Sequence, residues 1–201
     1  MLCEALHKIH IHIGADPLDS RSYRWNRLLK IFSGFEDVLY RMASGGQSRG
    51  EFRGTQYAAP IASIIPSNFF RNRQTDETEI KQHIRSRYHG LNFQNANPGS
   101  DKNTVEFRLW NGSLDCKQIQ ANVKMSMGIV HAADIVRRTN ESTRERNELI
   151  PGGPMKYGQA VATERDLVDH TEIRRLLDLL FVRNKDKAAV LWLYASSEWQ
   201  G

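Results

Sequence analysis

Glu106 and Arg108 stand two residues apart in Thr104-Val105-Glu106-Phe107-Arg108-Leu109-Trp110-Asn111-Gly112-Ser113-Leu114-Asp115. The segment alternates as a strand does. Val105, Phe107 and Leu109 fall on one face, Glu106 and Arg108 on the other. A carboxylate and a guanidinium side by side on a strand face can hold a metal ion and an anion next to each other. His10 and His12 repeat the arrangement near the N-terminus. In Ile9-His10-Ile11-His12-Ile13-Gly14 the isoleucines point one way and the imidazoles the other. Imidazole is a good ligand for Zn, Mn, Fe and Ni, whereas magnesium sites more often use carboxylates and phosphates. Gly14 leaves room for a substrate to approach the backbone. Together the two strands predict a polar site on a sheet face. Taken singly, the HxH pair is equally a half-exposed polar position, and Glu106–Arg108 is equally a surface ion pair of little worth.

The stretch from Ser44 to Pro60 is a Gly- and Arg-rich loop containing Arg49 and Arg53. Glycine lets backbone N–H groups approach a phosphate, and arginine forks grip it. There is no Walker or GxGxxG pattern, so by itself the segment reads as a solvated loop. Trp110 reads as core or as a lid over the site, and Met125 and Met127 as helix packing. Cys3 and Cys116 have no metal-ligand spacing and read as free thiols.

These residues need elements to position them. Residues 6–13 predict a strand. Apolar spacing from Trp25 to Met42 predicts one helix over about 21–43 with a wide buried face. A short helix is expected over 78–86, a short strand over 88–93 and a turn-rich connector over 95–103. The 104–110 strand ends at Asn111-Gly112-Ser113. Asp115 is a fair N-cap for a helix running to about Arg138, with Ile119, Val123, Met127, Val130 and Ile135 as its buried stripe. Residues 139–158 are polar and punctuated by Pro and Gly. Helices are expected over 164–181 and 187–196, joined at Asn184-Lys185-Asp186. Two strands alone would be marginal, so further strands are expected within residues 50–95, or a partner chain completes the sheet.

The 201 residues suffice for one domain with a core. The apolar and charged fractions, 40% and 25%, are those of a soluble globular protein. The longest apolar run, Ala188 to Ala195, is far short of the roughly 20 residues of a membrane helix. Glu4 and His7 stand where a signal peptide needs an apolar core, so a cytoplasmic location is expected. The net charge of +5 is spread along the chain, with acidic residues interleaved from Glu141 onward. It suits anionic small substrates about as well as it suits RNA or DNA.

In this order, HIHIGAD, RGEFRGTQYAAP, YHGLN and TVEFRLWNGSLD followed by a long helix resemble the putative amidoligase family. These are carboxylate–amine ligases sharing the catalytic fold of glutamine synthetase and glutamate–cysteine ligase. The resemblance covers roughly residues 6–138. It implies an α+β fold: a curved, mostly antiparallel sheet with helices packed on one face, binding Mg–ATP and substrate on the concave side. It makes His10 and Glu106 metal ligands, with His12 in or next to the coordination shell. It gives Arg108 the transferred phosphoryl group and places Arg49 and Arg53 at ATP or substrate. Tyr88 and Asn92 also match the family pattern, with no role attached.

The implied activity is an ATP-dependent carbon–nitrogen ligation, forming an amide or peptide-like bond through an acyl phosphate. The implied cofactors are ATP and magnesium, with manganese as the substitute ion. The substrates are a small-molecule or peptide carboxylate and an amine; neither membrane nor nucleic acid is an expected partner. Relatives carry a Glu-x-Glu strand earlier in the chain, whereas here only Glu4 precedes His10. The chain is therefore read as N-terminally incomplete, with a homo-oligomer or a partner chain completing the sheet. The expected divisions are a catalytic core over 1–138, a linker over 139–163 and a helical extension over 164–201. Two alternatives stand: a metal-dependent hydrolase, since an HxH strand also opens such sites, and a non-catalytic degenerate fragment or nucleic-acid-binding module.

Overall fold

The computed structural model describes residues 9–18, 20–44, 57–66, 69–71, 76–84, 86–99, 101–135 and 171–196. Arg49 and Arg53 lie outside them, as do residues 6–8 of the first expected strand and residues 139–163. The described residues form a mixed α+β fold. Three strands, β1 (Ile11–Gly14), β2 (Leu91–Asn92) and β3 (Thr104–Phe107), make an antiparallel sheet in the order β1-β3-β2. β2 is the additional strand expected within residues 50–95. An antiparallel sheet of this order is unlike the parallel strand–helix repeat of the hydrolase barrels that open on an HxH strand.

β3 is the central strand, and its Glu106 and Phe107 have cross-strand neighbours on both sides. Ile11, Phe107 and Leu91 form one cross-strand row, and all three are buried. They belong to the core, where the Phe32 ring lies 6.1 Å from that of Phe107. The next row is His12, Glu106 and Asn92. It points to the opposite face because successive side chains alternate. The pairing reaches past the assigned ends: Arg108 N–H donates to Gly90 O at 2.8 Å and Ile9 N–H to Trp110 O at 3.1 Å.

The described residues also form six α-helices: α1 (Ser22–Gly34), α2 (Glu36–Ser44), α3 (Glu77–His83), α4 (Cys116–Ile135), α5 (Thr171–Leu180) and α6 (Asn184–Ser196). The single helix expected over 21–43 is two, broken at Phe35. The break sets Glu36 at the start of α2. Its buried carboxylate accepts hydrogen bonds from Ile61 N–H at 2.6 Å and Ala62 N–H at 3.1 Å. That anchors the segment returning toward Gly90, whose N–H donates to Ala59 O at 2.9 Å. Asp115 accepts from Lys117 N–H at 2.8 Å, as the N-cap of α4 should.

The buried stripe of α4 is not the expected one. Ala121, Asn122, Met125, Ser126, Gly128, Ile129, Ala132 and Ala133 join Val130 inside, while Met127 is 55% exposed. Small residues bring the helix close to its neighbours, so burial follows size here more than hydropathy. Trp110 is core and no lid: it is fully buried, and its indole N–H donates to Ser126 Oγ at 3.0 Å.

α6 begins at Asn184, three residues before the expected start, with Asp186 in its first turn. Lys124 on α4 donates to Asp186 Oδ1 at 2.6 Å, and Arg183 Nε donates to Asp186 Oδ2 at 2.9 Å. The Lys124 hydrogen bond, opposed by partial desolvation and reinforced by Arg183, holds the Asp186 carboxyl below its ordinary value of 3.8. A lowered carboxylate pKa stabilises the fold above the ordinary value, and the contribution fades as pH falls through the lowered one. Lys124→Met should therefore lower Tm at pH 6, and its Tm should converge on that of the unmodified chain toward pH 3. A Tm gap that is constant across this range would contradict the assignment.

Candidate active site

Glu106 is the centre of the polar row. It is 5% exposed, yet both carboxylate oxygens are engaged. Oε1 accepts from Arg108 Nη1 at 2.9 Å and lies 3.1 Å from His10 Nδ1 and 3.8 Å from His12 Nε2. Oε2 accepts from Asn92 Nδ2 at 2.8 Å. Burying a carboxylate is costly unless charge and hydrogen bonds compensate. Here one guanidinium, one amide and two imidazoles share that task.

Each partner arrives by strand geometry. Arg108 is two residues on, so it shares Glu106's face. His12 and Asn92 sit directly opposite Glu106 on β1 and β2. His10 precedes His12 by two residues and reaches the same oxygen. Asn92 is 2% exposed, and its Oδ1 accepts from Gln94 N–H at 2.9 Å, which fixes the amide with its NH2 toward Glu106. His12 is held at its other nitrogen, Nδ1, by Thr104 Oγ1 at 3.1 Å.

A cavity of about 590 Å³ opens on this row. Its described walls are His12, Arg87, Asn92, Gln94, Asn95, Asp101, Lys102, Thr104, Glu106 and Arg108, all polar or charged. His10, His12, Glu106 and Arg108 therefore converge as their spacing implies, and His12 is the histidine that lines the cavity. Arg87, Asp101 and Lys102 were not singled out from sequence. The last two sit in the connector before β3, where charged residues read as turn chemistry. Thr104 carried a usable signal, because its spacing of two from Glu106 puts it on the same face. Among the described residues the buried Arg108 Nε has no hydrogen-bond partner.

A family model described as a putative amidoligase enzyme matches residues 7–130, more than half of the chain. The chain belongs to the amidoligase family. The match contains all three strands, the whole polar row and most of α4. The C-terminal pair α5–α6 lies beyond it, packed against α4. No curated protein and no solved structure matches the chain significantly. Among the described residues no helix is long and apolar enough to cross a membrane.

Among those residues, no group of three or more His, Cys, Asp and Glu side chains is arranged to hold a metal ion. Magnesium is commonly held by one or two carboxylates together with substrate phosphates, keeping several waters. The carboxylates on the described cavity wall are Glu106 and Asp101.

Proposed function

We propose that this amidoligase-family chain is an ATP-dependent carboxylate–amine ligase with the catalytic fold of glutamine synthetase and glutamate–cysteine ligase. One observation carries the reading. A buried carboxylate, an arginine and two histidines meet at one polar cavity inside the family-matched region. An amide bond made from a carboxylate needs a better leaving group than hydroxide. In the proposed reaction the substrate carboxylate oxygen attacks the γ-phosphorus of ATP and ADP departs. An amine attacks the resulting acyl phosphate, inorganic phosphate leaves, and the amine gives up its proton.

Arg108 is the side chain placed to grip the transferring phosphoryl group. Charge-assisted arginine–phosphate contacts are strong and directional, and they offset charge that develops in such transfers. Glu106 would hold the magnesium, or manganese, that enters with the nucleotide's phosphates, with His10 and His12 beside that carboxylate. The ion's contribution is to neutralise phosphate charge. Asn92 keeps Glu106 oriented, and Thr104 keeps His12 oriented. The polar and charged side chains of the described wall suit phosphate, carboxylate and amine groups.

Hydroxylamine is a suitable test amine, because it converts an acyl phosphate to a coloured hydroxamate. Incubated with ATP, magnesium and panels of amino acids and small carboxylic acids, the chain should yield hydroxamate and ADP in equal amounts with at least one acid. ADP release that ignores the carboxylate, or none at all, would sink the ligase reading.

A further inference from the structure

An exposed aromatic pair, Tyr57 and Tyr88, stands beside the cavity wall. Arg87 belongs to the cavity wall. Its guanidinium carbon sits 5.1 Å from the Tyr88 ring centroid, and its Nη2 donates to the Tyr88 hydroxyl at 3.1 Å. The Tyr57 ring packs against Tyr88 with centroids 5.9 Å apart and planes tilted by 60°. Despite these contacts Tyr57 remains 53% exposed and Tyr88 40% exposed. Two packed rings left this open beside the cavity present apolar, π-rich surface that a planar ligand can cover.

The backbone holds this pair in place. Ala59 N–H donates to Tyr88 O at 2.6 Å, next to the parallel bridge between Ala59 and His89. Tyr57 and Tyr88 therefore come from two segments tied side by side, and Tyr88 is only four residues from Asn92 in the polar row.

From this juxtaposition we infer that Tyr57, Tyr88 and Arg87 form a stacking platform for the planar heteroaromatic base of a nucleotide whose phosphates lie in the Glu106–Arg108 cavity. The inference rests on the ligase reading above and assigns it a base subsite. Aromatic rings accept bases through their π faces with little sequence preference, and arginine adds a cation–π component. Such a platform should favour purine over pyrimidine triphosphates through stacking area alone, with little discrimination between ATP and GTP.

The test compares ATP with inorganic tripolyphosphate, which carries the charge and lacks the base. Calorimetry with magnesium would be run on the unmodified chain, Tyr88→Phe, Tyr88→Ala and Tyr57→Ala. Loss of one stacked ring should weaken ATP on the order of tenfold. Tyr88→Phe should bind ATP within about twofold of the unmodified chain, since the ring is retained. Tripolyphosphate affinity should be equal in all four proteins. Unchanged ATP binding in both alanine variants, or equal losses of ATP and tripolyphosphate, would overturn the platform and leave the ligase reading standing. Failure of the unmodified chain to bind either ligand would overturn both.

Discussion

Glu106→Ala is expected to lower the thermal stability of this protein sharply as well as to remove its nucleotide site. The carboxylate is the common acceptor for Arg108, Asn92 and His10, and it is only 5% exposed. Removing it leaves the Arg108 guanidinium, whose side chain is 14% exposed, without its ion-pair partner. Breaking a buried pair from one side costs about 3–5 kcal/mol; the residual exposure of Arg108 places this case at about 3 kcal/mol. For a chain of this length that corresponds to a Tm lower by roughly 6–12 °C. Glu106→Gln separates the two roles. It retains shape and one acceptor oxygen, so its Tm should fall by less than half as much, while magnesium-dependent ATP binding is lost as completely as in Glu106→Ala. An alanine variant with unchanged Tm would show that the carboxylate is not the hub described.

Gly90→Ala should be nearly as damaging, although the change is a single methyl group. A β-carbon on Gly90 would lie 2.2 Å from the Tyr40 hydroxyl and 3.1 Å from Cζ of the same ring. Tyr40 cannot simply swing away. It is 5% exposed, and its hydroxyl donates to Ala58 O at 2.6 Å. Overpacking of this kind costs about 1–3 kcal/mol, and a displaced Tyr40 would leave the Ala58 carbonyl unpaired as well. The strain falls on the site, because Gly90 O accepts the Arg108 N–H at 2.8 Å. Tyr40→Phe removes the closest clashing atom, so it should partly rescue Gly90→Ala even though it destabilises the unmodified chain. The double-mutant cycle should show a coupling of at least about 1 kcal/mol in the compensating direction. Additive losses by denaturant titration would rule out the clash.

The centre of the candidate site was legible because strand alternation is a local rule. Glu106 with Arg108, and His10 with His12, needed only a period of two to be placed together on one face. What brings the two pairs into contact is register, which depends on which strands pair and where. Nothing in the sequence near His12 says that it faces Glu106. Asn92 was still harder to place, since β2 is two residues long and leaves no periodic trace. Helix phase failed where packing overrides hydropathy. On α4, Ala, Gly and Ser face inward while Met127 stays outside. The break at Phe35 escaped for a related reason, because apolar spacing continues across it, and the N–H donors gained by Glu36 lie some 25 residues further along the chain. Arg87, Asp101 and Lys102 looked like ordinary turn residues until the turns were seen to border the cavity.

The central claim is that the sheet face carrying His12, Glu106 and Arg108 binds a nucleotide together with its metal. Equilibrium calorimetry of ATP tests it most directly, with and without magnesium, on the unmodified chain and on Arg108→Met, with folding confirmed by circular dichroism. The account predicts saturable binding that requires magnesium and is weakened at least about a hundredfold in Arg108→Met, in keeping with the loss of a desolvated charge contact. Binding of equal strength in both proteins, or the absence of binding by the folded unmodified chain, would contradict it.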